Sequence, residues 1–134
     1  MNDYYDPALK QKNLQIIQSV ARQFDYDNFM FMQQDIRNTK CITEWKPDIV
    51  IHAAGKVGGI LHNKTYPAEF IFQNSQMALN IINSSHIYKV KKLINLGSAC
   101  IYPKFAKQPI KETYLLGGKL ESSNEAYEIG RAHV

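Results

Sequence analysis

Between Pro47 and Gly55 the chain reads Asp48-Ile49-Val50-Ile51-His52-Ala53-Ala54, a β-branched run that opens just after a proline and closes on small residues. Side chains of this kind suit the pleated, half-buried surface of a sheet, and a short apolar run bounded by breakers reads as a strand. Farther along, Lys92-Leu93-Ile94-Asn95-Leu96 repeats the pattern. Between the two, Phe70, Ile71, Met77, Ala78, Ile81 and Ile82 recur at helical spacing from Pro67 to about His86, with Thr65 a candidate cap. Strands alternating with helices imply parallel βαβ units, so the fold class is doubly wound α/β.

Upstream, Leu9, Leu14, Ile16, Ile17, Val20, Ala21 and Phe24 predict an amphipathic helix over 7–24 that lies on a sheet, with Pro7 tolerated in its first turn. Phe29 to Met32 reads as a short strand, and a helix around Thr39 to Trp45 bridges it to the run at 48–54. Gly55, Gly58 and Gly59 open a polar loop that extends to Thr65. From Gly97 to Glu125 there is little periodicity, and Pro103, Pro109, Gly117 and Gly118 mark a long functional loop.

Composition removes several classes of function. With 134 residues, 45% of them hydrophobic, the chain has the size of one globular domain. No run approaches the roughly 20 apolar residues that span a bilayer, and the first residues have no signal-peptide pattern, so a cytoplasmic protein without membrane contact is expected. Cys41 and Cys100 are far apart and read as free thiols, with neither zinc spacing nor a disulfide framework. The net charge of +4 is spread out, densest at Lys89, Lys91 and Lys92. No basic motif interleaved with aromatics accompanies it, which argues against nucleic acid and suits a protein that binds anionic cofactors or sugar diphosphates.

In an open parallel sheet, ligands sit outside the carboxyl ends of the strands. Two segments of small residues occupy those places here, His52-Ala53-Ala54-Gly55 and Gly97-Ser98-Ala99-Cys100. Small side chains let a cofactor approach the backbone closely; equally, Ala and Gly simply terminate strands. Ser98 offers a hydroxyl to a substrate oxygen. Tyr127 offers a phenol, whose ordinary pKa of about 10 is too high for acid-base work at neutral pH unless a cation lowers it. A lysine four residues on would share its helix face, but position 131 is Arg131. Cys100 is either an acid-base thiol or a small hydrophobe. His52 reads as a structural histidine, and Tyr4 and Tyr5 as packing or surface residues.

From Pro47 to Tyr127 the stretches PDIVIHAAGKVGGI, NKTYPAEFIFQN, LGSACIYPKFAKQPI and NEAY resemble the GDP-L-fucose synthases of the extended short-chain dehydrogenase/reductase, NAD-dependent epimerase/dehydratase family. The combination of KVGG, TYPAEF and CIYPK is far more specific than any isolated glycine motif. Enzymes of that kind epimerise GDP-4-keto-6-deoxy-D-mannose at carbons 3 and 5, then reduce its 4-keto group with NADPH. The resemblance implies that Ser98 holds the keto oxygen, Tyr127 donates the proton and Cys100 is an epimerisation acid or base. It implies NADP contacts at Ala53, Ala54, Gly55, Leu96, Gly97 and Ser98, with Asp35 and Ile36 near the adenine. It also implies a homodimer paired through the helices at 67–86 and near Tyr127.

This sequence departs from the family pattern in several places. The Gly-x-x-Gly-x-x-Gly loop that seats the pyrophosphate on a helix N-terminus is absent and is expected upstream. The expectation is therefore an incomplete parallel sheet, a Rossmann fold lacking its first two strands, inactive as an isolated chain. Ala99 stands where the family has a second serine, and Ala126 where it has proline. Residues 2–12, NDYYDPALKQK, resemble UDP-glucuronate 4-epimerases instead, which keeps an NAD-dependent 4-epimerase or a non-catalytic binding module as alternatives. Residues 129–134, Ile-Gly-Arg-Ala-His-Val, resemble the translation of a sequencing-library adapter, so 1–128 are expected to be the partial Rossmann domain and 129–134 a non-native tail.

Overall fold

A computed structural model of the chain describes residues 6–24, 29–123 and 125–132. Tyr4, Tyr5, His133 and Val134, together with the side chains of Cys41 and Arg131, lie outside what it describes. Two units are present, Met1–Asp35 and Ile36–Val134.

The first unit carries helix α1, Pro7–Gln23. Asp6 begins it by accepting the Ala8 N–H at 2.8 Å, and Pro7 fills the first helical position, where its missing N–H costs nothing. No sheet belongs to this unit among the described residues, so the predicted sheet support for α1 is absent from it. Only Ala21 of the helix is buried, while Leu9, Ile16 and Ile17 are about half exposed. Residues 29–32 also depart from expectation, being irregular rather than a strand. The reason is that β propensity reflects packing against neighbours, and no ladder partner for them exists among the described residues.

The second unit is built on a βαβ core. Helix α2, Lys40–Trp45, leads to strand β1, Ile49–His52. Helices α3, Ile60–Thr65, and α4, Pro67–Ile87, follow, and then strand β2, Lys92–Asn95. The strands pair in parallel, Ile49 opposite Lys92 and His52 opposite Asn95. The sheet is thus a two-stranded part of a doubly wound one, and Ile49 and Ile51 on β1 stay 57% and 63% exposed. Parallel strands are ordinarily covered on both faces, so these side chains are what an incomplete sheet leaves open.

Two local expectations need correction. Part of the loop over 55–65 is helical: α3 occupies it, and its mostly polar sequence carries no apolar period to betray a single turn and a half. Thr65 does not cap α4, because its hydroxyl donates to the Leu61 carbonyl at 2.8 Å and Tyr66 takes the cap position. At its other end α4 closes with Lys89 in the left-handed region, φ 58°. There the Val90 N–H reaches the Ser85 carbonyl at 2.9 Å and the Lys89 N–H reaches that of His86 at 3.3 Å, which satisfies two end carbonyls.

Helix α4 is the spine of the unit. Its Phe70, Asn74, Met77, Ala78 and Ile81 are buried at helical spacing. Helix α5, Glu125–Ala132, packs along it, and the crossing is closest at Gly130. A Cβ on Gly130 would lie 2.8 Å from the Ile71 carbonyl oxygen and 3.1 Å from the Asn74 Cβ.

Candidate functional site

Parallel pairing places the carboxyl ends of β1 and β2 side by side. The ladder runs one residue past the strands, since the Leu96 N–H donates to the His52 carbonyl at 3.1 Å. The two segments of small residues, Ala53-Ala54-Gly55 and Leu96-Gly97-Ser98, therefore leave the sheet from one edge. Ala53, Ala54, Leu96 and Gly97 are all exposed there, so nothing large stands between the backbone and a ligand. His52 is buried at 6% exposure, in keeping with a structural role.

Beyond β2 the chain makes a 3-10 turn over Ala99–Ile101, and the Ser98 hydroxyl accepts the Cys100 N–H at 3.2 Å. That bond fixes Ser98 at the mouth of the turn and leaves its own hydrogen to donate. Cys100 is an exposed free thiol. Helix α5, which carries the half-buried Tyr127, packs against this same turn as well as against α4. Ser98, Cys100 and the helix of Tyr127 are thus neighbours at the carboxyl edge of the sheet.

The remaining predicted residues separate into two groups. Ile36, Ala53 and Ala54 line one cleft of about 420 Å³ along β1, with Ile81 and Trp45 among its other walls. Ile36 owes its place to α4: Asn80 Nδ2 donates to the Arg37 carbonyl at 2.7 Å, and the Ser84 hydroxyl donates to that of Thr39 at 2.8 Å. Gly55, Leu96 and Gly97 do not line this cleft, and Asp35 is an exposed residue at the end of the other unit. The cleft is apolar, and its lining includes Ile49, Val50 and Ile51 of β1, the strand whose Ile49 and Ile51 the incomplete sheet leaves open. Nothing in the sequence supplies the glycine-rich loop that would hold a pyrophosphate. Among the described residues no cluster of three or more His, Cys, Asp or Glu could hold a metal ion, and no helix is long and apolar enough to cross a membrane.

The long segment after the 3-10 turn closes on itself. The Lys104 N–H donates to the Lys119 carbonyl at 3.0 Å, and the Lys104 ammonium meets Glu121 at 2.7 Å. That hydrogen bond holds the Glu121 carboxyl below the usual carboxylate range.

Sequence reasoning missed two residues. Glu128 follows Tyr127 and is fully buried, with neither carboxylate oxygen hydrogen-bonded among the described residues. Burial first, then the nearby Glu121 and Glu125 carboxylates, push its pKa up to about 7. Asn74 is 2% exposed and makes three hydrogen bonds to backbone. Its signal was present, because an amide in the apolar stripe of α4 must find partners or pay desolvation.

A parallel βαβ unit with small residues at both strand ends, and with Ser98, Cys100 and helix α5 neighbours at that edge, has the architecture of a nucleotide-binding α/β domain. The chain belongs to the NAD dependent epimerase/dehydratase family, whose sequence model matches residues 6–134. It is similar to the GDP-L-fucose synthase of Escherichia coli, 56% identical over 63% of this chain and 26% of that protein. To GDP-L-fucose synthase 1 of Arabidopsis thaliana it is 49% identical over 84% of this chain and 31% of the relative. Among solved structures, an NADP-bound GDP-mannoheptose C4 reductase from Campylobacter jejuni matches with TM-score 0.73 and 30% identity, over 86% of this chain and 38% of that one. An NADP-bound GDP-L-fucose synthetase from Naegleria fowleri matches with TM-score 0.70 and 26% identity, over 87% and 40%. The chain spans about a quarter to a third of the length of these curated relatives.

Proposed function

We propose that these residues form part of the cofactor-binding domain of an NADPH-dependent GDP-L-fucose synthase, acting on GDP-4-keto-6-deoxy-D-mannose. The observation that carries this reading is the gathering of Ser98, Cys100 and the helix of Tyr127 at one turn beyond β2. Cys100, an exposed thiol, is the acid or the base of the epimerisation at carbons whose protons the neighbouring ketone makes acidic, and a second acid-base group on the opposite face of the sugar completes each inversion. The Ser98 hydroxyl holds the keto oxygen, and the Tyr127 phenol gives that oxygen its proton as it gains negative charge. NADPH supplies the hydride, with Ile36, Ala53, Ala54, Gly55, Leu96, Gly97 and Ser98 lining it. The protein is cytoplasmic in this reading and pairs as a homodimer, supported by Phe72, Leu79 and Ile82 lying exposed on α4.

Within the same proposal residues 1–128 belong to the domain and 129–134 are a non-native tail; the source DNA read across codon 128 tests that part. The 134 residues alone are expected to be inactive, since their sequence holds no glycine-rich phosphate loop. The intact gene product is expected to oxidise NADPH with the GDP-keto sugar. Tyr127→Phe should lower that rate by about 10²–10⁴-fold, with NADPH affinity kept. Turnover of a different nucleotide sugar alone, or an unchanged rate in Tyr127→Phe, would overturn the assignment.

A further inference from the structure

The loop that leaves β1 is held by a side chain rather than by another strand. Asn74 Oδ1 accepts the Lys56 N–H at 2.8 Å, and Asn74 Nδ2 donates to the Lys56 carbonyl at 3.1 Å and to the Phe70 carbonyl at 2.9 Å. The first two bonds engage residue 56 on both of its backbone groups, as a neighbouring strand would, across 18 positions of sequence. The Lys56 side chain is fixed too: its ammonium lies 2.9 Å from Glu69 and 5.2 Å from the centre of the Phe70 ring. Two residues on, Gly58 passes so close that a Cβ there would stand 2.8 Å from the Phe70 ring. Loop and helix are therefore clasped from Lys56 to Gly58.

Helix α5, which carries Tyr127, packs along the same helix. We infer that Asn74 is a positioning residue: it sets the path of the chain past the cofactor at Ala53–Gly55. This rests on the cofactor reading given above. Asn74 touches no reacting atom, and its role is to hold backbone that does.

The test uses the intact gene product with Asn74→Leu, which keeps the side chain's branched shape and removes all three bonds, and Asn74→Asp, which keeps only the acceptor for the Lys56 N–H. Met77→Ala, a buried change on the same helix with no bond to the loop, controls for lost stability. Amide exchange over residues 53–58 and the Kd for NADPH are measured in each. Asn74→Leu is expected to speed exchange over 53–58 and to weaken NADPH binding, each by at least about tenfold relative to Met77→Ala, with Asn74→Asp between. Equal exchange and equal Kd in Asn74→Leu and Met77→Ala would overturn the inference. If the wild-type protein binds no NADPH, the cofactor reading fails, and exchange over 53–58 alone decides whether Asn74 braces the loop. If Asn74→Leu does not fold, Asn74→Asp decides in its place.

Discussion

Replacing Glu128 by glutamine should remove a pH dependence that the fold imposes on itself. Glu128 has no exposed surface, and neither of its oxygens has a hydrogen-bond partner among the described residues. Its folded pKa is about 7 against an ordinary value of 4.5, raised first by burial and then by Glu121 and Glu125. A carboxyl whose pKa rises on folding binds its proton more tightly in the native state, so its contribution is fully present below about pH 4.5. That contribution is lost as pH climbs, and the loss is complete once pH has passed about 7. An increase of this size is worth at most about 3 kcal/mol, and the steepest possible slope is about 1.4 kcal/mol per pH unit. Urea unfolding at fixed, low protein concentration from pH 5 to 8.5 reads it directly. Groups common to both proteins cancel when wild type is subtracted from Glu128→Gln. The difference should be small at pH 5 and grow to about 2–3 kcal/mol in favour of glutamine by pH 8. A difference that stays constant across that range would mean that Glu128 is solvated or paired, and would refute the reasoning.

In the 134-residue chain, Gly130→Ala should destabilise the second unit by about 1–3 kcal/mol, because the new Cβ meets the Ile71 carbonyl oxygen at 2.8 Å and its Cα at 3.0 Å, and backbone cannot swing aside. Alanine's better helix propensity, about 1 kcal/mol, opposes this, so thermal unfolding that showed a net gain would refute the close crossing. Lys89→Gly acts in the other direction: at φ 58° glycine relieves a left-handed residue in the motif that ends α4. A stabilisation of up to about 1 kcal/mol is expected by urea titration, and a loss would show that the Lys89 side chain matters more than its backbone.

How much of this was legible in the sequence depended on whether the determining contact was local. The helices at 7–23 and 67–87 and the strands at 49–52 and 92–95 announce themselves through periodicity and flanking breakers, and those signals sit within each element. Phe29 to Met32 has the same apolar character yet forms no strand, since a strand requires a partner that its own residues cannot specify. That the segments around Ala54 and Ser98 leave the sheet at one edge was legible because parallel βαβ units bring the carboxyl ends of their strands together, whatever the side chains. Asn74 and Glu128 were passed over for the opposite reason. Their importance comes from what surrounds them in three dimensions, and a one-dimensional pattern shows only that a polar residue interrupts an apolar stripe or follows a tyrosine.

Position along α4 then separates the residues that can disturb the site from those that cannot. Asn74 holds the loop after β1, while Asn80 and Ser84 hold the segment at 37–39 that leads from Ile36. Helix α5, which bears Tyr127, packs along the same helix. The loop after Ala53–Ala54 and the helix of Tyr127 are therefore both tied to α4. Phe72 and Leu79 project into solvent at 63% and 53% exposure, and polar replacements there leave those ties intact. The two faces of a single helix thus divide the labour: one holds the loop after β1 and the helix of Tyr127, and the other stays exposed to solvent.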